Sequence, residues 1–317
     1  MKLILVYTLK CNAACKICCF HCDPTQKEKM DFDAAKDYIR QAADSKIIDE
    51  ISITGGEALL YKNEVMELIA LSSSYHLAIY LTTNAYWANS VENAYQMLTE
   101  LKSKGVTLIR ISTDEFHADY IPYQNIENLI NANKRINLPL SFQSVITKKT
   151  TVEQPLEKKH TEYTWEKGIC QPIGKAEETI PWEDYIYIDY SGKCTFADTL
   201  TIMPDGSAYP CCSQGLDMNK LKIGSAKEKT LKELIKAKEE NDYLMVITNI
   251  GPKLLKEKGE INGNYLSRIR NDYVSMCDLC HEIASDLCYL EKMDHIIKET
   301  ACRFNYKKLF DLHTMKA

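Results

Sequence analysis

Residues 1–146 alternate between short, apolar, β-branched runs and amphipathic stretches, and no other feature constrains the fold as strongly. The strand patterns lie at Leu3–Tyr7, Glu50–Ile53, Ala78–Leu81, Leu108–Ile111 and Leu140–Ile146. Helical patterns separate them, and Asp33 is the predicted cap of the first helix. Repeated strand–helix units predict an α/β fold with a parallel sheet, either open or curled into a barrel.

Polar, small or metal-binding residues follow the predicted strands at the point where each strand ends. In parallel sheets of this kind, functional side chains gather at the carboxyl ends of the strands. The residues at these ends are Cys11, Cys15, Cys18, Gly55, Gly56, Glu57, Thr83, Asn84, Ser112, Asp114 and Gln143. Because all of them lie on one predicted rim, the sequence predicts a single functional site there.

The composition argues against several classes of protein. The chain has 317 residues, of which 45% are hydrophobic, so it can bury one large core or two modest ones. Its formal charge of −5 leaves no electrostatic footprint for nucleic acid, and no apolar run is long enough to span a membrane. Since no secretory signal is evident, we expect a cytoplasmic protein, in which thirteen cysteines favour metal binding or redox chemistry over disulfides.

Cys11, Cys15 and Cys18 offer three thiolates from one short loop, with the spacing C-x3-C-x2-C. A zinc site is one interpretation, because His21 and Cys22 could complete it. An iron–sulfur cluster is the favoured interpretation, because closely spaced thiolates are its usual ligands. Three protein ligands on a four-iron cluster would leave one iron open for a substrate or cofactor.

These motifs resemble those of the radical S-adenosylmethionine (SAM) superfamily. The cysteine triplet follows the first strand, G-G-E follows the second and S-x-D follows the fourth, and the resemblance extends from Leu3 to about Gly174. It implies a partial (β/α)6, TIM-like barrel whose triplet holds a [4Fe-4S] cluster with SAM on the open iron. Reduction would cleave SAM to methionine and a 5′-deoxyadenosyl radical, which the protein positions and shields.

The resemblance also implies contacts to SAM. Gly55, Gly56 and Glu57 would meet its amino group, and Ser112 and Asp114 would face its ribose or carboxylate. The remaining candidates are Asn84, Gln143 and Ile17. Ile17 takes a position before the third cysteine that is often aromatic in the family, so its adenine contact would be apolar without ring stacking.

A second group of cysteines lies beyond residue 190, around a predicted β-hairpin at residues 200–209. The pattern resembles the twitch module of radical SAM enzymes that act on peptides, and implies one auxiliary [4Fe-4S] cluster. The implied ligands are Cys194, Cys211 and Cys277, with Cys280 or Cys288 as the fourth. A structural zinc remains the alternative, because four thiolates suit both metals. We expect a partial barrel over residues 1–190 and a twitch-like module over 191–317.

Cys212 stands next to a predicted ligand, and adjacent side chains point apart, so we expect it to be a free thiol near the active site. The "CCF" after the triplet, the stretch from Asp114 to Pro122 and the "PCC" at 210–212 resemble radical SAM epimerases of ribosomally made peptides. The resemblance implies that the radical abstracts the Cα hydrogen of an L-residue such as Val or Ile. Cys212, or else Cys170, would then return a hydrogen atom to the opposite face and leave a D-residue.

Partners and alternatives follow from this interpretation. The implied partners are a ribosomally synthesised precursor peptide and an electron donor of the flavodoxin or ferredoxin type, with no nucleic acid or membrane. The first alternative is a radical SAM enzyme that forms thioether or carbon–carbon crosslinks in a peptide. The second alternative belongs to another class, a zinc-organised binding protein without catalysis.

Overall fold

The computed structural model describes residues 1–150, 155–194, 198–212, 221–261 and 269–314. The strands are β1 (Lys2–Thr8), β2 (Glu50–Gly55), β3 (Ala78–Thr83), β4 (Leu108–Ser112), β5 (Leu140–Ile146), β6 (Thr164–Ile169), β7 (Thr199–Ile202), β8 (Ser207–Tyr209) and β9 (Gly224–Ser225). The helices are α1 (Phe32–Ser45), α2 (Lys62–Ser74), α3 (Val91–Lys104), α4 (Glu115–Ala118), α5 (Tyr123–Ile136), α6 (Pro155–Lys159), α7 (Lys175–Thr179), α8 (Leu231–Glu239), α9 (Asp242–Asn249), α10 (Lys253–Ile261), α11 (Met276–Ser285) and α12 (Leu287–Thr314).

The strands of the described ranges form one sheet in the order β6-β5-β4-β3-β2-β1-β7-β8-β9. Strands β1 to β6 are parallel neighbours in chain order, and helices connect them. This arrangement is a partial (β/α)6 barrel, so the predicted fold class is confirmed. The five predicted strands agree with β1 to β5 to within two residues at either end.

The two faces of the barrel strands carry different side chains. In β3, Ile79 and Leu81 are buried in the hydrophobic core with the connecting helices, whereas Tyr80 and Thr82 alternate with them and are half-buried. In β4, Ile109 and Ile111 repeat the apolar pattern around a half-buried arginine. Because side chains alternate across a strand, the outer face of the sheet is apolar and its inner face is partly polar.

The predicted cap of α1 was wrong by two residues. Asp31 is the cap, and its carboxylate accepts a hydrogen bond of 2.9 Å from the backbone N–H of Ala34. Asp33 lies in the first turn instead, where it forms an ion pair of 2.6 Å with Lys36. Both positions favour an aspartate, since a negative charge in the first turn also suits the helix dipole.

The second part of the chain continues the same sheet. β7 pairs in parallel with β1, and β8 returns antiparallel to β7, which confirms the predicted hairpin. The α8 to α12 helices follow, and α8 packs against α1 of the barrel. The division near residue 190 stays a prediction. None of the helices described is both long and apolar enough to cross a membrane.

Candidate active site

A cavity of about 240 Å³ opens at the carboxyl ends of β1 to β5. The triplet loop forms one wall, and the segments after the strands form the others. The predicted site residues that line this cofactor cavity are Cys11, Cys15, Ile17, Cys18, Gly55, Gly56, Asn84 and Ser112. The structure therefore brings the three thiols together with the predicted SAM-contacting segments after β2, β3 and β4.

Gly55 and Gly56 are required by a close approach between two backbone segments. A Cβ atom on Gly55 would lie 2.3 Å from the carbonyl oxygen of Thr8, and one on Gly56 would lie 2.3 Å from that of Lys10. Gly55 also has a φ of +143°, which L side chains rarely adopt. The glycines thus let the segment after β2 pack directly on the backbone that leads into Cys11.

Glu57 belongs to the same segment, but its side chain turns away from the cofactor cavity. Its carboxylate is completely buried and accepts hydrogen bonds from the backbone N–H groups of Leu59 (3.1 Å) and Asn84 (2.9 Å) and from the Thr83 hydroxyl (3.0 Å). Burial raises the pKa of Glu57 to about 7, and the hydrogen bonds oppose that rise. The carboxylate therefore braces the segments after β2 and β3, and the structure does not bring it to the cavity.

Asp114 is similarly turned inward. It caps α4, where its carboxylate accepts a hydrogen bond of 2.9 Å from the N–H of His117, and it also accepts one of 3.0 Å from the N–H of Val145. The His117 Nδ1 lies 2.7 Å from the same carboxylate, and His117, not Asp114, lines the cavity. Burial is the largest influence on the pKa of His117 and lowers it, but the charge of Asp114, its hydrogen bond and the nearby Cys18 together raise the pKa overall.

His117 was missed as a cavity residue by the sequence reasoning. The signal for it is the D-x-x-H spacing directly after a predicted strand, since an N-cap aspartate faces the side chain three positions later. Gln143 does not line the cofactor cavity either. Its amide donates a hydrogen bond of 3.2 Å to Glu166, inside the barrel.

A second cavity, of about 600 Å³, occupies the interior of the barrel. Gln143, Arg110 and Cys212 line it. The two cavities share wall residues, which are Phe20, Thr54 and Thr82. This barrel cavity is therefore adjacent to the cofactor cavity, and Cys212 faces it.

The triplet thiols suit a metal cluster in both chemistry and placement. Burial raises the pKa of Cys11 to about 11 and that of Cys15 to about 12. The Cys22 thiol and backbone N–H groups donate hydrogen bonds to Cys18 and lower its pKa. Three soft sulfur ligands around one cavity fit an iron–sulfur cluster, and binding such a cluster removes the thiol protons.

The second group of cysteines surrounds a separate, largely apolar cavity, here called the auxiliary cavity. Its cysteines are Cys194, Cys211, Cys277 and Cys280, whereas Cys288 is exposed and does not line it. The side chain of Ser275 caps α11, which presents Cys277 and Cys280 one turn apart. Four thiols around one cavity fit an auxiliary cluster. Within the ranges that the structure covers, no three His, Cys, Asp or Glu side chains form a site for a single metal ion.

The two candidate hydrogen donors have different surroundings. Cys212 lines the barrel cavity, whereas its neighbour Cys211 lines the auxiliary cavity. Burial raises the pKa of Cys212 to about 11, so it carries its S–H at neutral pH. Cys170 is almost fully buried and packs in a small apolar cluster with Tyr185 and Val274.

Comparisons with known proteins agree with this geometry. Residues 5–153 match the model of the radical SAM superfamily, and residues 194–282 match an iron–sulfur cluster-binding domain, SPASM. A curated relative, "Putative peptide biosynthesis protein YydG" of Bacillus subtilis (strain 168), is 26% identical over 285 residues, which cover 86% of this chain and 88% of the relative.

Two solved structures show the same fold. Native anSMEcpe with bound AdoMet has a TM-score of 0.59 at 16% identity, covering 96% of this chain and 99% of that one. BtrN in complex with AdoMet and 2-DOIA has a TM-score of 0.52 at 14% identity, covering 80% and 89%. Residues 5–153 are thus a radical SAM domain, whose implied cofactors are SAM and a [4Fe-4S] cluster, and residues 194–282 are a SPASM-type domain, which implies a further iron–sulfur cluster.

Proposed function

We propose that this chain is a radical SAM peptide epimerase, which converts L-residues of the Val or Ile type in a ribosomally made peptide into D-residues. Cys11, Cys15 and Cys18 hold the radical SAM cluster, and Cys194, Cys211, Cys277 and Cys280 hold one auxiliary cluster. SAM bound at the first cluster supplies the group that removes hydrogen. Cys212 returns a hydrogen atom from the other side.

The placement of Cys212 carries this proposal. Its side chain lines the barrel cavity, which shares Phe20, Thr54 and Thr82 with the cofactor cavity. A peptide residue seated in the barrel cavity would thus lie between the source of the radical and a thiol. Epimerisation needs that arrangement, because the new hydrogen must arrive on the face opposite to the one that was removed.

The chemistry balances with one thiol. The Cα–H bond of the L-residue breaks, and its hydrogen atom ends in 5′-deoxyadenosine. The S–H bond of Cys212 then breaks as a new Cα–H bond forms, which leaves a thiyl radical. One electron and one proton restore the thiol, and a donor of the flavodoxin or ferredoxin type supplies the electrons for this step and for SAM cleavage.

The peptide substrate is supported by two observations. The name of the YydG relative refers to peptide biosynthesis. The barrel cavity is partly polar, and Lys2, Glu50 and Gln143 are among the residues that line it. Main-chain amides of an extended peptide segment can form hydrogen bonds with such polar groups.

The decisive experiment compares the wild type with Cys212→Ala. Both proteins are reconstituted anaerobically and incubated with SAM, reductant and the candidate peptide in D2O. We expect the wild type to give a D-residue about one mass unit heavier, because the thiol exchanges with solvent. The variant should still form 5′-deoxyadenosine but no D-residue, as measured by mass spectrometry and chiral amino-acid analysis.

Cys170→Ala is the matched control, because it removes a thiol that does not line the barrel cavity. We expect it to retain epimerisation. If Cys170→Ala lost epimerisation and Cys212→Ala retained it, Cys170 and not Cys212 would be the hydrogen-atom donor. A wild-type product about two mass units lighter without a D-residue would instead establish a crosslinking enzyme and end the epimerase proposal.

A further inference from the structure

Lys238 occupies a position in α8 where an apolar residue is expected. Leu231, Leu234 and Ile235 form the buried face of this helix, and Lys238 continues the same face one turn later, with only 7% of its surface exposed. The remaining lysines of the helix, at 232 and 236, are exposed. Burying an ammonium group costs several kcal/mol unless nearby groups compensate for it.

Several groups surround the buried ammonium group of Lys238. Its ammonium group donates a hydrogen bond to the backbone carbonyl of Thr199, at the start of β7. Its side chain lines the auxiliary cavity together with Cys194, Cys211 and Cys277. Burial lowers the pKa of Lys238, and the charge of Asp198 and then the thiols of Cys211 and Cys194 oppose that shift only in part. A buried cation thus stands in the wall of the cavity where thiolates and a cluster would concentrate negative charge.

Tyr243 contacts the same site from α9. Its hydroxyl lies 3.3 Å from the Sγ of Cys280 and 3.1 Å from the carbonyl oxygen of that residue. Against a thiolate ligand this hydroxyl can act only as a donor.

We infer that Lys238 and Tyr243 are positioning residues that set the reduction potential of the auxiliary cluster. Each reduction adds one negative charge to the cluster, and a buried cation or a hydrogen bond to sulfur stabilises the more negative form. Both groups therefore raise the potential and keep the cluster reducible. This inference rests on the iron–sulfur region and not on epimerisation, so each can fail without the other.

The test is a redox titration, followed by electron paramagnetic resonance, of the full chain with both clusters. The signal that changes on adding SAM belongs to the radical SAM cluster, and the other belongs to the auxiliary cluster. We expect Lys238→Gln, which keeps a donor for Thr199 but removes the charge, to shift the auxiliary midpoint to a more negative potential. Tyr243→Phe should shift it in the same direction, and Lys238→Arg should leave it near the wild-type value.

Lys256→Met is the matched control. Lys256 is also a buried lysine, with 5% exposure, but its ammonium group bonds to Tyr190 and to the backbone carbonyls of Arg270 and Asn271. We expect it to move neither midpoint. An unchanged auxiliary midpoint in Lys238→Gln with full iron content would overturn the inference. So would a loss of the cluster in every Lys238 variant, since Lys238 would then only brace Thr199.

Discussion

At the scale of single residues, the buried carboxylate of Glu57 makes stability depend on pH. Its pKa is raised from 4.5 to about 7 in the folded protein, so the folded state holds this proton more tightly than the unfolded state. Its contribution to the free energy of unfolding therefore falls as pH rises between these two values and is constant above them. Glu57→Gln removes this titration.

We expect Glu57→Gln to destabilise the protein by about 2 kcal/mol near pH 5, because an amide cannot accept from Leu59, Thr83 and Asn84 together. The difference from wild type should shrink towards about pH 8. Thermal unfolding of the reconstituted proteins across this range checks it. Glu100→Gln, which affects a half-exposed ion pair with Lys62, is the control and should change stability little at any pH.

The residue scale is also where sequence reasoning was least complete. The resemblance to the radical SAM superfamily implied SAM contacts for Glu57 and Asp114, but both side chains turn into the protein and accept hydrogen bonds from the backbone. Sequence shows which residues stand at a strand end. It does not show which way each side chain turns, because that depends on donors from distant segments, such as Val145 for Asp114. His117 was missed for the same reason.

At the scale of elements, the loop after β2 controls the position of the triplet loop. In Gly56→Ala, the new methyl group would approach the carbonyl of Lys10 to 2.3 Å and the Cβ of Cys11 to 3.0 Å. The backbone must then shift, which misplaces the first thiol. We expect this variant to hold less than about half of the wild-type iron at the radical SAM cluster.

Gly168→Ala is the matched control, because its Cβ would meet nothing closer than the carbonyl of Ser144 at 3.9 Å. It should retain full iron. Iron analysis and the SAM-dependent spectral change distinguish the two variants. Equal cluster content in both would show that the contact between the two loops does not position Cys11.

The α11 helix is held by a partly buried ion pair. Arg270 donates a hydrogen bond of 2.5 Å to Asp278, which is itself 2% exposed and also accepts from the N–H of Val274. Asp278→Ala leaves the guanidinium and that N–H without this partner, so we expect a loss of about 2–3 kcal/mol in stability. Because α11 carries Cys277 and Cys280, auxiliary cluster content should also fall.

An exposed pair on α12 provides the comparison. Asp294 and Lys298 lie 2.8 Å apart, four residues along the helix, with both side chains more than half exposed. Asp294→Ala should cost about 0.3–0.5 kcal/mol and leave both clusters intact. A thermal shift and an iron loss as large as those of Asp278→Ala would contradict this account.

At the scale of the whole molecule, the two proposed clusters determine how much iron we expect in each chain. We expect about eight iron atoms per chain after anaerobic reconstitution, and about four when Cys11, Cys15 and Cys18 are all replaced by alanine. Replacing Cys277 and Cys280 should also leave about four. Elemental analysis of the iron and zinc in each protein tests these numbers. Stoichiometric zinc without iron would restore the zinc-site alternative for the second group of cysteines.

The overall architecture was predictable because strand and helix periodicities are local. In parallel strands such as Leu108–Ser112, buried and half-buried residues alternate within the strand itself. The helices between the strands are long enough to show their own period. The pairing of β7 with β1 was not predictable, because it joins segments almost two hundred residues apart. The gathering of Cys194 with Cys280 depends on the same long-range packing.

The continuity of the sheet has a consequence for how the chain can be divided. β1 exchanges hydrogen bonds with β2 on one side and with β7 on the other, in register from Lys2 to Leu5. A fragment that ends near residue 190 would lack β7 and would turn β1 into an open edge strand with unpaired backbone groups along an apolar sequence. Such edges recruit strands from other molecules. We therefore expect the isolated barrel to aggregate.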